Sequence, residues 1–120
     1  MKPPIFYDDN GDLSVFKSVK SAELYLEPED MDDPRRRIYD SDGRLLGQTL
    51  VSNKDWLSVQ LGTEGRDITL FVIEEEPAHS DELAVKLRRF LTLFGHSDEQ
   101  LLSEPLHRLV ELCLPYAEKY

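Results

Sequence analysis

The chain has 120 residues, 40% of them hydrophobic, and a formal net charge of −10 from 24 acidic against 14 basic side chains. That length is one domain's worth and needs no disulfide or metal staple to hold a core, and apolar runs at regular intervals argue against disorder. The acidic balance weighs against nucleic acid as a partner, because phosphates need cations; it suits solubility and attraction to a basic surface, although many acidic proteins have no such partner.

A single cysteine, Cys113, excludes an intrachain disulfide and fits a reducing compartment. The opening MKPPIFYDD has no signal-peptide core, and no apolar run reaches the ~18 residues of a membrane span. The expectation is a cytoplasmic protein without a membrane partner.

Residues 4–16, PIFYDDNGDLSVF, predict a β-hairpin about Asn10-Gly11, a pair that accepts positive φ at both turn positions. In that register Phe6 faces Val15 and Asp8 faces Leu13, with Ile5, Tyr7, Ser14 and Phe16 on the other face. Ser18 is the expected N-cap of a helix over 19–26, with Val19, Ala22 and Leu26 on one stripe and Tyr25 beside it. Pro28 bars continuation, and so short a helix needs a sheet to pack on. The acidic run EPEDMDD, 27–33, is followed by Arg35, Arg36 and Arg37, which partly neutralise it.

A second hairpin, 36–51, turns at Asp42-Gly43. Tyr7 to Leu13 matches Tyr39 to Leu45 at Tyr, Asp, Gly and Leu. A shared turn requirement explains the match better than a repeat architecture, which needs at least three units. Residues 56–61 alternate as a strand, and ITLFVI, 68–73, does not alternate. The second run predicts a strand covered on both faces, central in the sheet and paired with 56–61. Ser80 is the expected cap of a helix over 81–94, with Leu83, Leu87, Phe90, Leu91 and Phe94 as its stripe and Gly95 as its stop. Ser97 opens a short helix through Leu102, and Pro105 begins a last one over 105–119 that Pro115 bends or ends. Leu102, Leu106, Leu109, Val110 and Cys113 form its inner stripe. The expected fold is a single α+β domain over 1–120: one mainly antiparallel sheet built from hairpins, a short N-terminal helix and a C-terminal helical pair on one sheet face.

No catalytic constellation stands out. Cys113 lies on an apolar helix stripe, where a thiol is inert, and there is no G-x-S-x-G elbow. His79, His96 and His107 lack ligand spacing, and DDNGD and DSDG read as hairpin turns rather than calcium loops. Neither a phosphate-binding nor a dinucleotide fingerprint is present. The expectation is no catalytic residue, no metal and no cofactor. The surviving constellation is Glu27, Glu29, Asp30, Asp32 and Asp33 beside Tyr25 and Tyr39. Such a lobe suits a basic cleft, the carboxylates speeding association and the aromatics anchoring it; a solvated loop without a partner is the simpler reading, because charge runs usually face water. A second acidic run, Glu74 to Glu76, reads as a charged strand end that discourages edge pairing.

The stretch SVKSAELYLEPED, 18–30, followed by IYDSDGRLLG, 38–47, carries a "SV..AE.YLEP.D" helix and a "YD..GRLL" hairpin. In these the chain resembles small acidic bacterial immunity proteins of polymorphic toxin systems, which are encoded beside secreted effectors. The resemblance runs from Tyr7 to Gly47 and brings no catalytic residue. It implies a cytoplasmic antidote that binds a cognate protein toxin with a basic active-site surface and occludes its active site or substrate entrance. The run from Glu27 to Asp33 would contribute to that contact. The alternative is a non-enzymatic adaptor or regulatory module, homodimeric through an exposed strand.

Overall fold

A computed structural model describes residues 1–28, 31–53 and 65–119, with the backbone alone at 52, 53 and 65–67. The chain begins with the expected hairpin, β1 (Ile5–Asp9) and β2 (Asp12–Phe16), in the expected register. Asn10 and Gly11 take φ of 50° and 100°, so both turn positions are left-handed as the Asn-Gly pair requires. The Asp8 carboxylate accepts the Gly11 amide at 2.9 Å and ties the turn to β1.

Helix α1 (Val19–Tyr25) starts at Ser18, whose hydroxyl oxygen accepts the Ser21 amide at 3.0 Å. It stops at Leu26, which is already extended ahead of Glu27-Pro28. Strand β3 (Arg36–Tyr39) then returns antiparallel to β1, placing Tyr39 opposite Phe6 and Arg36 opposite Asp9. The turn from Asp40 leads into β4 (Leu45–Asn53), and β5 (Gly65–Val72) lies antiparallel along it. The described sheet has the order β2-β1-β3-β4-β5 and is antiparallel throughout.

The turn between β3 and β4 is built on Asp40. Its carboxylate is fully buried and accepts the amides of Asp42 (3.0 Å), Arg44 (2.9 Å) and Lys2 (3.2 Å), with the Arg44 guanidinium at 3.2 Å. Asp8 and Asp40 therefore do the same job in two hairpins, which accounts for the likeness of Tyr7–Leu13 to Tyr39–Leu45. Their tyrosines part company: Tyr7 packs on one side of the sheet and Tyr39 on the other.

The remaining helices are α2 (Ser80–Leu93), α3 (Asp98–Leu102) and α4 (Leu106–Cys113), closed by a 3₁₀ turn at Leu114–Tyr116. Gly95 ends α2 as expected: its amide donates to Thr92 and that of His96 to Leu91, a Schellman pair. Ser80 does not cap α2. Its hydroxyl donates instead to the Asp42 carbonyl at 2.7 Å, across to the β3–β4 turn. The last helix stops at Cys113, well short of 119, because Pro115 cannot donate a helical bond. The tail then crosses to β2, where the Glu118 amide donates to the Val15 carbonyl at 2.7 Å.

Two apolar layers sandwich the sheet. Phe6, Leu13, Val15 and Tyr39 pack under Leu83, Leu87 and Leu91 of α2, Leu101 of α3, and Leu109 and Cys113 of α4. On the other side Ile5, Tyr7, Phe16, Ile38, Leu46, Ile68 and Leu70 pack against Ala22 and Leu26. Leu102, expected inside, is exposed, and Leu101 takes its place. Burial pushes the Cys113 thiol up to about 12, so it stays protonated. No described helix is long and apolar enough to cross a membrane.

Within the described sheet the 68–73 run is not central. It falls in β5, the last strand of the described sheet, where it pairs with β4; the expected partner 56–61 lies outside the described residues. Ile68 and Leu70 face α1 and are buried, whereas Phe71 and Ile73 are exposed. An unbroken apolar run has two physical sources, burial on both faces or burial on one and an apolar surface on the other, and here it is the second. Both outer strands of this sheet carry a blocking contact. On β5 the Glu23 carboxylate of α1 accepts the Leu70 amide at 2.7 Å; on β2 the tail takes the Val15 carbonyl.

Candidate functional site

The described end of the acidic break, from Met31 to Asp33, is tied down. The Met31 amide donates to the Pro28 carbonyl at 3.3 Å, and the Met31 side chain packs against the α1-side core. Arg35 grips Asp33 through Nε (3.0 Å) and Nη2 (2.9 Å), and the hydrogen bonds from that guanidinium hold the Asp33 carboxyl below its ordinary range. Arg36 spans Asp9 at 2.9 Å and Asp33 at 3.6 Å. The arginines thus neutralise the end of the run, as expected, and Asp33 is spent inside the turn. Glu27 and Asp32 are exposed and enter no ion pair among the described residues. Glu29 and Asp30 lie outside the described residues.

The two tyrosines separate. Tyr25 remains at the surface, 37% exposed, with its ring 4.9 Å from that of Phe16 and 6.2 Å from that of Tyr7. Tyr39 is fully buried and leaves the proposed contact surface: it points into the helix-side core, because its strand pairs with β1 at Phe6 and shares that residue's face.

Tyr39 instead belongs to a polar network that the sequence reading missed. Its hydroxyl donates to Glu82 Oε1 at 2.6 Å and accepts from Lys86 Nζ at 2.7 Å. Lys86 also reaches Asp8 Oδ2 at 2.6 Å, and Arg37 Nη1 holds both Glu82 oxygens at 2.9 and 3.0 Å. The network ties α2 to β1 and β3. Two signals for it were present. Glu82 and Lys86 stand at i, i+4, and Asp8 shares the inward face of Phe6, where a carboxylate needs a cation.

Burial raises the Tyr39 hydroxyl above its ordinary value of 10.0, helped by the bond to Glu82. Burial alone would raise Glu82, but the Tyr39 hydroxyl, Arg37 and Lys86 outweigh it and hold the carboxyl low. For Lys86 burial works downward, and the bonds to Asp8 and Tyr39 overcome it and raise the ammonium. Lys86 is therefore a charged tie and not a free amine nucleophile. Glu82 adds stability that is present above the unfolded carboxylate range and lost as pH falls through its lowered value. Lys86 and Tyr39 add stability that is present below their unfolded values and lost as pH rises through their raised ones. Denaturant midpoints are expected to drop below about pH 4 and again above about pH 10, with Lys86→Met flattening the alkaline limb. An alkaline limb identical in both proteins would remove the network from the stability balance.

A cleft of about 670 Å³ opens beside this network, with Asp8, Asp12, Lys86, Arg89, Phe94 and Tyr116 among its lining. Phe94 and Tyr116 stack in its wall, ring centroids 4.2 Å apart. The lining mixes both charge signs and selects no one ligand class. Among the described residues no group of three His, Cys, Asp or Glu is placed to hold a metal ion. Comparison with protein-family models, with curated proteins and with solved structures found no match.

Proposed function

We propose that this chain is a protein inhibitor of the immunity type, which binds a toxic enzyme through a basic surface of that enzyme and covers its active site or substrate entrance. The observation that carries the reading is at the two described ends of the acidic run: Met31 is packed down and Asp33 is clamped, while Glu27 and Asp32 are left to solvent. Carboxylates that enter no ion pair among the described residues remain available to an external cation. The net charge of −10 extends the attraction beyond contact distance. The Tyr7–Gly47 resemblance points the same way. Homodimerisation through an open strand is disfavoured by the Glu23 and Glu118 contacts on the two outer strands of the described sheet.

The test is co-expression with the product of the adjacent gene, in cells where that product alone arrests growth. Rescue together with a stable complex supports the reading; a toxic product that is neither bound nor neutralised ends it. In the complex, Glu27→Lys with Asp32→Lys should slow association roughly tenfold at low ionic strength, a loss that shrinks as salt screens the field.

A further inference from the structure

Among the described residues, the helices cover only part of their side of the sheet. The apolar core there runs from β2 through β1 and β3 to Leu45 at the start of β4. Further along, the same face carries Gly47, Thr49 and Val51 of β4 and their partners Phe71 and Thr69 of β5. Val51 is 48% exposed, Phe71 46% and the adjoining Ile73 55%, and both threonines are exposed. On the opposite face of these strands Leu46, Ile68 and Leu70 are buried under α1, while Leu50 and Val72 toward its margins are 39% and 38% exposed.

Phe71 is held in place on this open face. Its ring lies directly on Gly47, where a Cβ would stand 2.4 Å from ring Cζ. Any other residue at 47 would lift the ring away. The glycine thus makes room for a flat aromatic surface, the kind of group that anchors protein interfaces at small entropic cost.

The face ends at an acidic rim. Glu74 is occupied by His79 and by the Ala78 amide. Glu75 and Glu76 are exposed and form no ion pair among the described residues, while the Glu75 carbonyl accepts Arg44 Nε at 3.0 Å and fixes the position of the rim. A second copy of this chain would bring −10 against −10. A basic protein surface meets the rim with opposite charge and the apolar centre with whatever it desolvates.

We propose that the open half of the sheet, centred on Phe71 and rimmed by Glu75 and Glu76, is the face on which the basic protein partner docks. This rests on the inhibitor reading above and divides its labour: the Glu27–Asp32 turn steers the encounter, and the Phe71 face holds the complex. Dissociation and association rates separate the two roles.

The experiment measures both rates for the complex with the adjacent gene's product. Phe71→Ala is expected to speed dissociation by roughly 30-fold or more and leave association within about threefold. Thr69→Arg alters an exposed position and is expected to fold as the wild type does, checked by an unchanged urea midpoint, so it decides the matter even where Phe71→Ala folds poorly. It puts a cation where a basic partner must pack and should weaken affinity about 100-fold or more. If wild type binds and both variants dissociate at its rate, the docking face is overturned and the inhibitor reading survives. Wild type that does not bind ends both. A dimer of this chain that Thr69→Arg splits would make a second copy the occupant and overturn the proposal.

Discussion

Gly43→Ala is expected to cost about 3–5 kcal/mol of folding stability, a large share of the roughly 5–15 kcal/mol available to a domain of this kind. Two effects add. Gly43 has φ of +87°, where a side chain costs roughly 1–2 kcal/mol. A Cβ there would also stand 2.4 Å from Ser80 Cα and 2.7 Å from Ser80 N, which are backbone atoms of α2 and have no rotamer to escape into. The turn and the helix must move apart. That loosens the bond from the His79 amide to the Gly43 carbonyl (3.1 Å) and the one from the Ser80 hydroxyl to Asp42 (2.7 Å), each worth about 1 kcal/mol. Gly11→Ala is the control: φ is +100°, but nothing lies within 4 Å of its Cβ, so only the backbone cost applies. Urea titrations with unchanged slope should place the Gly43 variant well below the Gly11 variant. Equal midpoints would show that the contact with α2 contributes nothing.

Asp40→Ala is expected to cost about 2–4 kcal/mol by removing a buried acceptor and leaving its donors without a partner. The amides of Asp42, Arg44 and Lys2 all converge on a carboxylate with no solvent exposure. Arg44 is less affected, because its Nη1 also holds Asp42 at 3.0 Å. Asp40→Asn should recover part of the loss: one oxygen still accepts, while the amide nitrogen faces donors. The double variant with Gly43→Ala should lose less than the sum, since both act on the joint between the β3–β4 turn and α2. Strict additivity in thermal or urea melts would mean that turn and joint are independent.

The candidate surface was legible only in part. Glu27 and Asp32 are exposed, as a charge run predicts, but Asp33 is consumed by Arg35 and Arg36. Tyr39 stands close to the acidic run in sequence and is buried by the pairing of β3 with β1. The Asp8–Lys86–Tyr39–Glu82 network joins groups from both ends of the chain, and its spacing signals, taken singly, are common to many helices and strands.

What the sequence determined by itself was the local chemistry. Asn10-Gly11, Ser18 and Gly95 satisfy backbone groups within a few residues of themselves, so their roles are set before any tertiary contact forms. Only the tertiary structure decided where competing partners lay. Ser80 had every local qualification for a cap and gave its hydroxyl to the Asp42 carbonyl across the joint. ITLFVI had the composition of a central strand and became β5, with Phe71 turned outward over Gly47. One-dimensional patterns record that a residue is apolar; which surface covers it depends on how far the helices reach across the sheet, and that is set by packing among distant segments.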